Sequence, residues 1–370
     1  MRVIGITACF VSLTFGTLGC GTRRGPNVSV GALDVHSLSV LQASDSCVMA
    51  AWAARVSNDE YVIRWTPVGA CSVSAGMYDG SPIRAQYMRT PQYDSPVVWI
   101  NKAPLEVGAV WASATDAVSV LRLDVATSSV ISPTDVGDQS AGVLPGGYFW
   151  AGEYQYLSVV EWAKDFSTRR VVYRWRNDER PLRWFQGVWY PPLFSMCAEQ
   201  SLASLERCIP AVAAHFLRPA LVRGQLLWSA RQADAVLVTD DLVGRSNPVD
   251  RIAIPNDVWD YWILSDGSLA VARDLTIETP IGSRSVTDPI AIRNADIKSP
   301  SILISRVRRG ECVQVVPAEP TARDFLRDHC DLVVDVAWSS AIAVTGESPT
   351  VWWVSARSGR LLSRDLSSVR

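Results

Sequence analysis

Tryptophan recurs at a fixed step in this chain: Trp111, Trp150, Trp189 and Trp228 are each separated by 39 residues. Self-similarity at a period of 20 to 50 residues marks propellers, solenoids and other arrays, in which one supersecondary unit is copied and stacked. The surroundings recur as well: GAVWAS at 108–113, GYFWAG at 147–152, GVWY at 187–190 and GQLLWS at 224–229. Each is an apolar run introduced by glycine. After most of them comes a polar turn and then an apolar or alternating segment, SVLRLD at 119–124, LSVVEW at 157–162 and AVLVT at 235–239, as expected of β-strands. Looser copies start at Trp52, Trp262 and Trp353, with Ile304 in the equivalent place of an eighth. Asp266-Gly267 and Ser358-Gly359 supply tight-turn chemistry between paired strands.

A strand-rich unit of about 40 residues fits the four strands of one propeller blade. The fold class expected is therefore all-β, a β-propeller of seven blades with eight as the alternative, spanning residues 35–370. The tryptophans have an ordinary role in such a fold, filling the wedge between neighbouring sheets, where an aromatic ring buries roughly 150–250 Å². Hydrophobic residues make up 48% of the chain, enough for a core of that extent. The formal charge of −2 gives no bulk attraction to nucleic acid.

The start of the chain carries different information. Met1-Arg2 precedes a mostly apolar run up to Leu18 that is interrupted by Gly5 and Gly16. That is too short for a span of ~20 apolar residues and has the layout of an export signal. It ends in Thr17-Leu18-Gly19-Cys20, which resembles the lipobox of bacterial lipoproteins. The resemblance implies a signal peptide over residues 1–19, lipid attachment at Cys20, and a membrane partner reached through that lipid. Gly21 at the second mature position implies an outer-membrane or cell-surface address. Residues 20–34, rich in Gly, Arg, Pro and Ser, read as a flexible tether.

Beyond Cys9 and Cys20, six cysteines remain, and they fall into three pairs that are near in sequence. The expected bridges are Cys47–Cys71, Cys197–Cys208 and Cys312–Cys330, in keeping with an oxidising compartment. Two segments within these brackets, 198–207 and 319–329, have helical composition and read as small disulfide-stapled inserts at blade edges.

Residues 110–127 (VWASATDAVSVLRLDVAT) and 351–362 (VWWVSARSGRLL) resemble blades of quinoprotein-like and related YVTN-type repeat propellers in their "vWas…v.rlD..Tg" rhythm. Ser128 stands where that rhythm has glycine, and no tryptophan follows at the docking position of quinoprotein blades. A bound quinone is accordingly not expected, and no cofactor is assigned.

No GxSxG, Walker, HExxH or EF-hand pattern occurs. With three histidines and no CxxC, no metal is assigned either. The most suggestive charged feature is the run RRVVYRWR at 169–176. Strand alternation puts Val171, Tyr173 and Trp175 on one side and Arg170, Arg174 and Arg176 on the other. These three arginines are the candidate face for an anion or a partner, through forked guanidinium contacts and stacking on aromatic rings.

The function expected is a non-catalytic interaction platform for an envelope protein or glycan, held at the membrane by lipid. Two alternatives are a lyase- or hydrolase-type enzyme with its site at the central opening, and a purely structural envelope component.

Overall fold

The computed structural model describes residues 28–29 and 35–366, apart from 58–59, 79, 85–95, 113–116, 137–141, 164–166, 178, 190–216, 232–233, 241, 243–249, 256–257, 276–300, 308–310, 317–329, 336, 346–348 and 356–357. The segments read as strands are strands: 119–124 lies in β9 (Val118–Asp124), 157–162 in β12 (Tyr154–Trp162) and 235–239 is β17 (Ala235–Thr239). Gly267 and Gly359 sit in the tight turns expected of them, at φ of 85° and 61°.

The strands form six sheets. Blade 1 comprises β2 (Val35–Ser44), β3 (Cys47–Arg55), β4 (Glu60–Gly69), β5 (Gly76–Met77) and β6 (Ile83–Arg84). Blade 2 comprises β7 (Val97–Lys102), β8 (Leu105–Ala112), β9 and β10 (Val130–Val136). Blade 3 is β11 (Gly142–Ala151), β12, β13 (Thr168–Trp175) and β14 (Leu182–Gln186). Blade 4 is β15 (Leu217–Val222), β16 (Gln225–Arg231), β17 and β18 (Asp250–Ala253). Blade 5 has five strands: β19 (Val258–Ile263), β20 (Leu269–Leu275), β21 (Ser301–Arg306), β22 (Cys312–Val316) and β23 (Asp331–Val334), the last pairing parallel to β22. Blade 6 joins β24 (Ala337–Thr345), β25 (Thr350–Ser355) and β26 (Arg360–Asp365) to β1 (Val28–Ser29). The first described strand thus closes the last blade, with Val28 opposite Leu361.

Successive blades share their hydrophobic clusters, and the sharing runs round a ring. Met49, Ile63 and Trp65 of blade 1 pack with Val107 and Leu123 of blade 2. Trp99 and Val120 pack with Leu157 and Tyr173 of blade 3, and Tyr156 and Val172 pack with Trp228 of blade 4. Val236 and Val238 meet Tyr261 and Val271 of blade 5, Ile304 and Val313 meet Val351 and Trp353 of blade 6, and Trp352 and Val354 return to Trp52 of blade 1.

The expected seven blades are therefore corrected to six, and the eight-blade alternative falls with them. The 39-residue step does not track blades. Trp111 and Trp228 occupy second strands, Trp150 lies in a first strand, and Trp189 lies beyond β14. Long connections such as that between β14 and β15 make the average blade longer than the period implies, so dividing the chain by the period overcounts. Nor are the four rings equivalent in burial: Trp228 is fully buried, while Trp189 is 43% exposed. The helical inserts expected at 198–207 and 319–329 lie outside the described residues, among which there is no helix.

Two of the expected bridges are present. Cys47–Cys71 ties the start of β3 to the segment after β4, with Cα atoms 4.9 Å apart. Cys312–Cys330, at 5.0 Å, fastens β22 to the residue before β23 and so holds the parallel fifth strand in place. Cys197, Cys208, Cys20 and residues 1–27 lie outside the described residues.

At the β9–β10 turn, the Asp124 carboxylate accepts from the backbone N–H of Ala126 and of Thr127 at 2.7 and 2.9 Å. Ser128, standing where the repeat rhythm has glycine, takes a left-handed φ of 56°. A Cβ there costs about 1–2 kcal/mol, partly offset by the extra freedom glycine brings to the unfolded chain. Ser128→Gly is expected to stabilise the protein by about 0.5–1 kcal/mol. Urea unfolding should show a higher midpoint at unchanged slope; a lower midpoint would contradict the strain.

Candidate functional site

The alternation read along 169–176 holds, but both of its faces are blade interfaces. Val171, Tyr173 and Trp175 point toward blade 2, and Val172, on the face shared with Arg170 and Arg174, packs toward blade 4. This follows from the sheet's position between two neighbours, which leaves neither face as an outer surface.

The three arginines then part company. Arg170 reaches blade 4, where a terminal nitrogen donates to the Arg231 carbonyl oxygen at 3.5 Å. Arg174, opposite Tyr156 on β12, lies over the rings of Tyr154 and Trp184, its Cζ 4.5 and 5.1 Å from their centroids. Arg176, just past β13, donates to Glu153 at 2.6 Å and to the Tyr154 hydroxyl at 2.8 Å, and pairs with Glu179 at 3.8 Å. The bond to Glu153, followed by that to Tyr154, pushes the Arg176 pKa above its ordinary value.

Arg174 and Arg176 come together in an open cleft of about 330 Å³, also lined by Tyr154, Glu179, Leu182 and Trp184. It lies at the end of blade 3 that carries the β11–β12 and β13–β14 turns, on the side toward blade 4. Leu182 is 65% exposed on its wall. Trp184 is anchored from behind by Tyr156 and Trp228, at centroid distances of 5.6 and 5.9 Å, so the platform under Arg174 is part of the interblade core.

Arg169, the remaining arginine of the run, and Arg183 of β14 are both occupied. Glu161, 1% exposed, accepts from Arg169 at 2.7 Å, from Arg183 at 2.9 Å and from the Tyr173 hydroxyl at 3.0 Å. Burial raises the Tyr173 pKa, so the phenol stays a donor to that carboxylate. Arg169 also lies over Trp189, 4.4 Å from its centroid. This clasp holds the start of β14, and hence Trp184, against β12 and β13.

Sequence reasoning identified Arg174 and Arg176 but missed Tyr154, Glu153 and Glu161. The signal was available in the hairpin: once the turn after Ala151 is placed, antiparallel pairing brings Tyr154 to the end of β12 that meets Arg174 and Arg176.

The chain matches no protein-family model and no curated protein. Among solved structures it is similar to the β-propeller domain of the Trilobed protease from Pyrococcus furiosus, at 10% identity and a TM-score of 0.36 over 90% of this chain and 99% of that one. It is also similar to a putative 6-phosphogluconolactonase from Bacteroides uniformis, at 10% identity and a TM-score of 0.38 over 86% and 83%. A third likeness, to the polysaccharide lyase Uly1, has 10% identity and a TM-score of 0.36 over 90% and 80%. Likenesses this distant carry nothing about function, and the fold is read from the strand pairing itself.

Replacing Glu161 by Gln removes the charge that two partly buried guanidinium groups share. Breaking a buried pair from one side costs about 3–5 kcal/mol, and a loss of this order is expected in urea unfolding, with β14 losing hydrogen-exchange protection. A change under about 1 kcal/mol would show the clasp to be solvated and weak.

Proposed function

We propose that the protein is a non-catalytic interaction platform of the bacterial cell envelope, exported, held to the membrane by lipid at Cys20, and gripping an envelope protein or glycan through the blade 3 cleft. The observation that carries the binding role is Arg174: a guanidinium stacked on two aromatic rings, lining an open cleft, with no carboxylate partner among the described residues. Stacking leaves the in-plane N–H groups of an arginine available for an acceptor, the arrangement that favours forked recognition of anions.

The export reading is supported by the lipobox-like Thr17-Leu18-Gly19-Cys20 and by the two disulfides, which suit an oxidising compartment. Kinship with quinoprotein-like repeat propellers is supported by residues 118–127, where the Asp124 carboxylate of the repeat rhythm caps the β9–β10 turn and accepts from the Thr127 backbone N–H.

Full-length protein and its Arg174→Ala and Trp184→Ala variants, all carrying Cys20→Ala so that no lipid anchors them, should be co-sedimented with envelope preparations of the producing bacterium. Wild type is expected to sediment with them and both variants to be released. Arg251→Ala, which removes an exposed pair with Asp234 on blade 4, should behave as wild type. Equal retention of all four proteins would sink the assignment of the cleft.

A further inference from the structure

We propose that the blade 3 cleft takes one carboxylate-bearing sugar unit, a uronic acid residue of an acidic polysaccharide, with its carboxylate on Arg174 and its hydroxyls on the rim carboxylates. This rests on the reading of the cleft as the binding surface and names its ligand class.

The charge balance sets the number of anionic groups. Arg169, Arg176 and Arg183 face Glu153, Glu161 and Glu179, each within ion-pair distance of at least one carboxylate. Of these clustered arginines Arg174 has no such partner among the described residues, so among them its positive charge is the one left uncompensated in the cleft. One carboxylate answers that charge, and its planar pair of oxygens matches the guanidinium fork.

The rim then selects what accompanies the carboxylate. The side chains of Glu153 and Glu179 are 62% and 49% exposed beside the cleft. They accept hydrogen bonds from the hydroxyls that flank the carboxylate of a sugar ring, which the side chains of an acidic peptide do not offer. Leu182 supplies an apolar wall for the C–H face of such a ring, and the open shape admits an internal unit of a polymer as well as its end.

The test is calorimetric titration of full-length protein with trimers of galacturonate, glucuronate and mannuronate, the fully methyl-esterified form of each, and tetraglutamate. At least one uronate trimer is expected to bind, its methyl ester roughly tenfold or more weakly, and tetraglutamate not measurably. Arg174→Lys keeps the charge but loses the fork, and should weaken the acid form by roughly tenfold to a hundredfold while leaving the unfolding midpoint near wild type. Equal binding of acid and ester, Arg174-dependent binding of tetraglutamate, or no binding of any uronate would each overturn the proposal. If the last result comes with Arg174→Ala still releasing the protein from envelope preparations, the cleft remains the binding surface and only the ligand class is wrong. If that variant is retained, both readings fall together.

Discussion

Every sheet in this protein is buried on both faces, and the rest of the structure depends on that. In β3, Met49, Ala51 and Ala53 pack toward blade 2 while Ala50, Trp52 and Ala54 pack toward blade 6. In β25, Val351 and Trp353 serve blade 5 and Trp352 and Val354 serve blade 1. Strand alternation therefore distributes one apolar segment between two neighbours instead of separating a wet face from a dry one. Burying a large apolar side chain contributes about 1.5–3 kcal/mol, so an unclosed ring would forfeit a whole interface. The pairing of β1 with β26 puts the first described strand of the chain on its last blade and helps to hold the ring shut.

Several charged groups enter these wedges in pairs or larger sets. Arg122 of β9 forms a forked bond to Glu106 of β8 at 2.7 and 3.1 Å, and its remaining nitrogen donates to Asn177 of blade 3 at 3.1 Å. Gln155 accepts from the Tyr148 hydroxyl at 2.6 Å in the same network, and burial pushes the Tyr148 pKa far above its ordinary value, which keeps it a donor. Arg218 and Asp260 join blades 4 and 5, and Asp335 accepts from the Trp353 indole and the Ser355 hydroxyl at 2.9 and 2.8 Å. Such sets offset the cost of burying charge without adding much net stability. Arg122 and Arg218 each bond to a neighbouring blade, so their geometry also favours one angular placement of the blades over others.

The same constraint explains what the sequence revealed. Strands, hairpin turns and two disulfides were legible because they follow from local alternation, from Asp-Gly and Ser-Gly at turns, and from cysteine proximity. Blade number was not. It depends on which residues occupy equivalent positions after the connections are discounted, and Trp111, Trp150 and Trp189 fall at three different places in their blades. The arginine face was legible as parity along β13 and illegible as a site. What faces Arg174 is contributed by β12 and β14, through Tyr154 and Trp184, and what neutralises its neighbours is Glu153, Glu161 and Glu179. No single-strand pattern carries that information.

Arg174 differs from several other buried or half-buried arginines. Arg122, Arg169, Arg218 and Arg306 each end on a carboxylate, as the desolvation cost of a cation requires. Arg174 instead rests on π-faces, which recover only part of that cost, about 0.5–2 kcal/mol. A structural role would be met more cheaply by a methionine or leucine at the same strand position, since Val172 on the same face of β13 already packs against blade 4. The aromatic platform fixes the guanidinium in the cleft without consuming its charge. That combination suits the anion site proposed for the cleft.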